Sequence, residues 1–248
     1  MKFSDAQVLV TGGGRGIGRH LVDRMLLEAR AVAVFEKEEA IKSLRAALPT
    51  AKCYACDVTD PAVVAKAVAQ LEAEGFVTDV LINNAGVIAS APLINMLSKD
   101  DRVHSALEWQ RILNANLSSA FYVTGQVVDR MLKRRTKGVV ISLSSICARG
   151  NAGQSAYSAA KAGVNALTRT WAKELGAFGI RFVAVAPGFL DTPSTRDAMS
   201  EANLSRVKAQ IPLNRLGEAE HIYQTVRFII ENDYVTGTVI EVDGGLVM

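Results

Sequence analysis

The sequence predicts an α/β fold, a doubly wound parallel sheet of about seven strands with helices on both faces. Short β-branched runs alternate with longer stretches of helical character from one end of the chain to the other. The runs are almost wholly Val, Leu, Ile and Ala, the composition of strands covered on both sides. At 248 residues, 49% apolar and 21% charged, the chain can build one large domain with a sizeable core and is too apolar to stay disordered.

The first strand, Gln7–Thr11, runs into a glycine-rich turn that opens a helix over Gly16–Glu28. A second strand at 31–35 ends beside Glu36, and a third at 51–56 carries Cys53 and Cys56. The helix over 61–74 begins at a legible cap: Asp60 accepts from first-turn amides, and Pro61 stands where a missing N–H costs nothing. A fourth strand at 79–83, a long helix over 107–135 and a fifth strand, Gly138–Leu143, come next. A helix over 155–178, a sixth strand at 180–186, a helix over 218–231 and a last strand, Thr238–Val242, complete the alternation. Two stretches break it. Residues 89–106 are polar and loop-like, with the charged run Lys99-Asp100-Asp101-Arg102, and residues 189–217 are rich in polar and small side chains. In an open α/β sheet such loops border the ligand crevice at the carboxyl ends of the strands. No linker or repeat divides the chain, so one domain over 1–248 is expected.

A formal net charge of +3 is too small to mark a nucleic-acid partner. No apolar run approaches a membrane span, and Met1-Lys2-Phe3-Ser4-Asp5 lacks the apolar core of a signal peptide, so a cytoplasmic protein without membrane association is expected. Cys53 and Cys56 form a C-x-x-C, but an odd offset along a strand sends them to opposite faces. Two buried structural thiols are therefore expected, not a redox pair or half a zinc site. His20, His104 and His221 show no ligand spacing and are expected to be surface or packing residues; no metal is expected.

Between the first strand and first helix lies Thr11-Gly12-Gly13-Gly14-Arg15-Gly16-Ile17-Gly18. Its spacing is T-G-x-x-x-G-x-G, not G-x-G-x-x-G, but the physical need is the same. Glycines let the backbone turn sharply and approach a pyrophosphate, whose charge rests on the amides of the helix N-terminus. Gly12, Arg15, Gly16, Ile17 and Gly18 are the candidate contacts. Glu36 stands 18 residues beyond Gly18, where a carboxylate accepts from the adenosine ribose hydroxyls and repels a 2′-phosphate. That favours NAD(H). Arg15 and Lys37 keep NADP(H) open, since either cation can neutralise a 2′-phosphate.

With Asn83-Asn84-Ala85-Gly86 after the fourth strand and Tyr157-Ser158-Ala159-Ala160-Lys161 on a later helix, the chain resembles the short-chain dehydrogenase/reductase family from Gln7 onward. Through Gly150-Asn151-Ala152-Gly153-Gln154, Ala186-Pro187-Gly188-Phe189, Ile211-Pro212-Leu213-Asn214-Arg215-Leu216-Gly217 and Val242-Asp243-Gly244-Gly245 it is similar to the 3-oxoacyl-[acyl-carrier-protein] reductase branch. The resemblance implies a Rossmann-like fold and hydride transfer between a nicotinamide cofactor and a carbonyl or secondary alcohol. It points to reduction of a 3-oxoacyl thioester on acyl carrier protein or coenzyme A. The alternative is NAD-dependent oxidation of a small alcohol, polyol, sugar or hydroxysteroid. It implies a catalytic set of Asn116, a serine, Tyr157 and Lys161, with Lys161 also holding the nicotinamide ribose and Asn116 anchoring a water that links Lys161 to solvent. Asp57 and Val58 would meet the adenine; Asn83, Ala85 and Gly86 would line the cofactor; Pro187, Gly188 and Thr192 would meet its nicotinamide end. A homo-oligomer, tetramer or dimer, is implied through the central helices and C-terminal segments. One departure is that residues 86–116 run several residues longer than in typical carrier-protein reductases.

Elementary chemistry supports these roles. Tyr157 and Lys161 are four apart on a helix and share one face. A free phenol titrates near pH ~10, and an adjacent ammonium is expected to lower that value, fitting Tyr157 for proton exchange. For the serine the resemblance leaves two candidates: counting along the strand from Gly138 places Ser145 at the family position, whereas counting back thirteen from Tyr157, the spacing usual in the family, gives Ser144. Loops absorb deletions more easily than strands change register, which favours Ser145. The basic run Lys133, Arg134, Arg135 and Lys137 ends a helix, where cations are favoured by the dipole. It reads either as a solvated terminus or as a docking patch for an acidic acyl carrier protein.

Overall fold

The computed structural model describes every residue except 193, 194, 197–199, 247 and 248. Seven strands form one sheet: β1 (Gln7–Thr11), β2 (Ala31–Glu36), β3 (Lys52–Ala55), β4 (Val80–Asn83), β5 (Gly138–Leu143), β6 (Ile180–Pro187) and β7 (Thr238–Val242). Their order is β3-β2-β1-β4-β5-β6-β7, and every neighbouring pair is parallel. Each expected strand is present, with neither end displaced by more than one residue. Parallel neighbours cannot be joined by hairpins, so each connection crosses a face of the sheet. The helices supply those crossings. They are α1 (Gly16–Glu28), α2 (Glu38–Ala47), α3 (Pro61–Ala73), α4 (Ala106–Leu113), α5 (Ser119–Arg134), α6 (Ser155–Leu175), α7 (Glu201–Gln210) and α8 (Ala219–Glu231).

The side-chain alternation of β1 separates two cores. Val8 and Val10 pack with Leu21 and Met25 of α1 and with Val226 and Ile229 of α8. Leu9, between them, packs on the other face with Leu71 of α3 and Val127 of α5. Cys53 belongs to the first core and Cys56 to the second, as their odd offset requires. Both are free thiols, and burial pushes Cys56 up to about 12 and Cys53 in the same direction, so neither offers a thiolate near neutrality. The chain leaves β3 at one edge and returns as β4 on the far side of β1. Successive connections therefore diverge between β1 and β4, which opens a crevice at their carboxyl ends.

Four local features differ from the expectation. The first is α2, whose period rests on only Ile41 and Leu44 and is too short a signal to register. The second is that the expected helix 107–135 is interrupted. A π turn, Asn114–Ser118, separates α4 from α5, where the Asn116 amide donates to the Ile112 carbonyl and intrudes on the helical ladder. The third is α7, inside a stretch expected to be irregular. The fourth concerns residues 89–106. They are a loop, as expected, but not a uniformly polar one: Leu93, Ile94, Met96, Leu97 and Val103 are all exposed.

Two of the histidines have structural partners. His221 Nδ1 accepts from the Glu218 amide in the cap of α8, and His20 lies 2.9 Å from Glu220. The basic run is partly neutralised in place, since Lys133 pairs with Asp129 at 2.7 Å and Arg134 with Glu72 at 2.9 Å. It also sits at the end of α5 remote from Asn116, about 24 Å along a 16-residue helix. Within one chain this favours the solvated terminus. Among the described residues, no helix is long and apolar enough to cross a membrane.

Candidate active site

The crevice is closed on one side by the turn after β1 and on the other by the segment after β4. Gly12 has φ +68°, and a Cβ there would stand 2.9 Å from the Ala85 Cα, so only glycine lets the two segments touch. Two side chains lock them. The Thr11 hydroxyl accepts from the amides of Asn84 and Ala85, both at 3.1 Å. The Asn84 side chain donates to the carbonyls of Thr11 at 3.0 Å and Gly12 at 2.8 Å. Neither residue was singled out from the sequence. The available signal was their position, a hydroxyl ending one strand and a carboxamide ending the next switch-point strand.

Arg15, exposed, precedes α1 and provides no side-chain cap, and no acid lies in the helix's first turn. Asp60 caps α3 and Ser105 caps α4, whereas α2 and α6 also begin without a side-chain cap. The leading amides of α1, at Gly16, Ile17 and Gly18, are therefore left without a side-chain acceptor, an arrangement that suits an anionic ligand. An uncapped helix start behind a glycine turn, at a switch point, fits the pyrophosphate of a dinucleotide.

At the β2 end, Glu36 accepts from the Gly14 amide at 2.9 Å and the Lys37 amide at 3.0 Å. The Lys37 ammonium lies 3.9 Å from Asp57. Asp57 accepts from the Thr59 amide at 2.9 Å and hydroxyl at 2.7 Å. Burial pushes the Asp57 carboxyl up, but Thr59 and Lys37 together carry it below its ordinary value. Lys37, Ala55, Cys56, Asp57 and Val63 border an open depression, and Val58 is buried beneath it. Asn83 turns its side chain inwards, donating to Thr124 at 2.9 Å and Ser142 at 3.4 Å. Only its backbone can border the crevice.

Tyr157 and Lys161 lie on one face of α6, 8% and 5% exposed, with the Lys161 ammonium 5.7 Å from the centre of the Tyr157 ring. Lys161 donates to the Leu143 carbonyl at 2.7 Å, at the end of β5. The two serines that follow are distinct in position. Ser144 Oγ donates to the Lys161 carbonyl at 3.4 Å, beneath the helix, whereas Ser145 stands beside Tyr157 and accepts from the Cys147 amide at 3.1 Å. Asn116 donates to the carbonyls of Val87 and Ile112, both at 3.0 Å, and accepts from the Val87 amide at 3.2 Å. A Cβ on Gly86 would stand 2.5 Å from Asn116 Oδ1 and 3.7 Å from Lys161 Nζ, which shows how closely the segment after β4 meets these groups. At the far rim Gly188 donates to the Val242 carbonyl at 2.9 Å, next to the buried Pro187, and the Thr192 and Thr195 hydroxyls are 2.9 Å apart.

The titration behaviour departs from expectation. Burial pushes the Tyr157 phenol up to about 12, with the Ser145 hydroxyl pulling the other way, and burial pushes Lys161 down to about 8. The expected lowering of the phenol by the ammonium is corrected: burial dominates its titration, and Lys161 donates to the Leu143 carbonyl instead. Away from Ser145 and Lys161, Tyr157 belongs to a buried apolar cluster. Ile112, Ile146, Ile211 and Leu246 pack in its cluster, with Ala89 and Leu204 against it.

Fold and crevice together define a doubly wound α/β protein with a dinucleotide-type cleft at its switch point. A family model described as Enoyl-(Acyl carrier protein) reductase matches residues 12–247. The 3-oxoacyl-[acyl-carrier-protein] reductase of Salmonella typhimurium is 35% identical over 252 residues, covering 100% of both chains. The (3R)-3-hydroxyacyl-CoA dehydrogenase of Rattus norvegicus is 34% identical, covering 100% of this chain and 98% of its own. The crystal structure of a protein provisionally assigned as a gluconate dehydrogenase, from Agrobacterium tumefaciens, superposes with a TM-score of 0.87 at 29% identity, covering 99% of this chain and 98% of that one. The chain belongs to the short-chain dehydrogenase/reductase family and is an oxidoreductase.

Proposed function

We propose that the protein reduces a 3-oxoacyl thioester, on acyl carrier protein or coenzyme A, to the 3-hydroxyacyl form at the expense of a nicotinamide dinucleotide. The observation that carries this reading is the packing of Tyr157 among aliphatic side chains, which suits the hydrocarbon flank of an acyl substrate. A polyol or sugar would need a hydrogen-bonding partner for each hydroxyl it buried there. The names of the carrier-protein reductase and hydroxyacyl-CoA dehydrogenase relatives point to the same substrate class. A second reading, NAD-dependent oxidation of a small alcohol or sugar acid, draws on Glu36 and on the likeness to the gluconate dehydrogenase.

A nicotinamide bound in the crevice supplies or accepts the hydride. The turn from Gly12 to Gly18 and the leading amides of α1 hold the pyrophosphate, with Arg15 beside it. Glu36 accepts from the adenosine ribose; Asp57, Val58, Asn83 (through its backbone), Ala85 and Gly86 border the adenosine and the centre of the cleft. Pro187, Gly188 and Thr192 border the nicotinamide end. Tyr157 gives its phenolic proton to the substrate oxygen in reduction and takes it back in oxidation. The Ser145 hydroxyl donates to the same oxygen and stabilises the charge that grows there. Lys161, charged below about pH 8, opposes the burial that raises Tyr157 and binds the nicotinamide ribose. Asn116 holds the water through which Lys161 is reprotonated.

The test is a spectrophotometric panel on purified protein: acetoacetyl thioester with NADH or NADPH, against polyols, sugar acids and secondary alcohols with NAD or NADP. Oxidation of NADH by the thioester is expected; turnover of alcohols alone would transfer the assignment to the second reading. NAD is the expected cofactor, because the Glu36 carboxylate repels a 2′-phosphate and Lys37 is already engaged with Asp57. Glu36→Gln keeps an acceptor for the Gly14 amide while removing the charge. It is expected to narrow the preference for NAD over NADP roughly tenfold, about 1.4 kcal/mol, in paired dissociation constants. An unchanged ratio would end the ribose argument.

A further inference from the structure

We propose that the hairpin over residues 93–104 seats an aliphatic chain of the substrate, extending the apolar lining around Tyr157 out onto the rim of the crevice. The proposal rests on the thioester reading above. Leu93, Ile94, Met96, Leu97 and Val103 are all exposed, Leu97 at 96% and Met96 at 75%, within eleven residues of chain. A concentration of large apolar groups of this kind marks a surface that binds something.

The hairpin is built, and its root is fixed to the catalytic residues. Ile94 pairs with Val103, the Asn95 amide donates to the Arg102 carbonyl at 2.7 Å, and the His104 amide donates to the Leu93 carbonyl at 3.0 Å. At the tip, the Leu97 amide donates to the Asn95 side chain at 3.1 Å. Ala91 bridges Gln154, the residue that opens α6 three positions before Tyr157, and Gln154 reaches the Ser90 hydroxyl at 3.5 Å. On the incoming side Val87 is bonded through both its amide and its carbonyl to Asn116. Ala89, between these anchors, packs in the aliphatic cluster of Tyr157. The chain thus runs, through Ala89, from the aliphatic cluster of Tyr157 directly into the exposed hairpin. This continuity selects the occupant: a flexible hydrocarbon whose reacting end lies at Tyr157. An anionic membrane is disfavoured, because the tip carries Asp100 and Asp101 beside Lys99 and Arg102.

The test uses enzyme saturated with NAD and two unreactive probes, the butanoyl and octanoyl thioesters of N-acetylcysteamine, with dissociation constants from calorimetry. Wild type is expected to bind the octanoyl probe roughly tenfold more tightly, part of the burial free energy of four methylenes. The triple variant Leu93→Ser, Met96→Ser, Leu97→Ser alters only exposed groups; it is expected to lose most of that preference while binding the butanoyl probe as before. Equal binding of the two probes by wild type, failure to bind either, or a preference that survives in the variant would each overturn the proposal. If the variant keeps the preference but changes mass in light scattering, the hairpin belongs to a contact with a second copy, and the proposal falls. Probe binding with the expected preference but no thioester turnover in the substrate panel would refute the reaction while leaving the seat intact.

Discussion

Tyr157→Phe is expected to lower kcat about a thousandfold in both directions while leaving the fold and cofactor affinity intact. The phenylalanine ring keeps the contacts that bury Tyr157 among Ile112, Ile146, Ile211 and Leu246, and loses only the hydroxyl. Transfer of a proton by a positioned group is worth roughly a hundredfold to ten-thousandfold, and no second phenol shares this cluster. Steady-state rates in both directions, with cofactor affinity from NADH fluorescence, separate the roles. A variant retaining more than a tenth of the rate would remove Tyr157 from the chemistry. A variant that lost cofactor binding as well would place the hydroxyl in the cofactor seat instead of at the reacting oxygen. A phenol that burial raises to about 12 stays protonated at neutrality, which suits an acid in reduction and puts the burden on Lys161 and Ser145 when the reaction runs as oxidation.

The sheet was legible because its strands are buried on both faces and carry a near-continuous apolar run, with the switch-point glycines and the Asp60-Pro61 cap as punctuation. Tyr157 and Lys161 were legible through the family resemblance, to which the four-residue offset on a helix adds that the two share one face. Two counts against the family pattern pointed to Ser145 and to Ser144, and the structure separates those two hydroxyls by what each touches. The illegible parts depend on tertiary context. The π turn at Asn114–Ser118 carries Asn116, which bonds the Ile112 carbonyl of its own helix and also Val87, a partner 29 residues away that no helical period can announce. The titration of Tyr157 depends on how much water its neighbours exclude, which spacing does not encode. The hairpin at residues 93–104 looked polar because its charged tip masked Leu93, Met96 and Leu97, whose exposure only the pairing of Ile94 with Val103 defines. Thr11 and Asn84 escaped attention because their work is to hold two loops together.

Lys161→Met is expected to make the protein more stable and nearly inactive at the same time. The ammonium is 5% exposed, and burial lowers its titration from 10.5 to about 8, so at pH 7 the folded chain carries a charge it would shed more readily than the unfolded chain does. A displacement of that size corresponds to a cost on the order of 3 kcal/mol. Methionine fills a similar volume without the charge but leaves the Leu143 carbonyl without its donor, which costs about 1 kcal/mol. The net gain at pH 7 is about 2 kcal/mol, readable as a higher urea midpoint. The sign with pH follows from the lowered value: the cost is fully present below about 8, shrinks as pH rises towards 10.5, and is gone above it, because there both folded and unfolded chains hold a neutral amine. Denaturation at pH 7 and pH 9.5 should therefore show the variant's advantage contracting. Turnover should fall more than about a hundredfold, since the phenol loses the cation 5.7 Å from its ring centre. A variant less stable than wild type at pH 7, or one whose advantage is the same at both pH values, would mean that burial does not disfavour the Lys161 ammonium and that its titration stays near that of the unfolded chain.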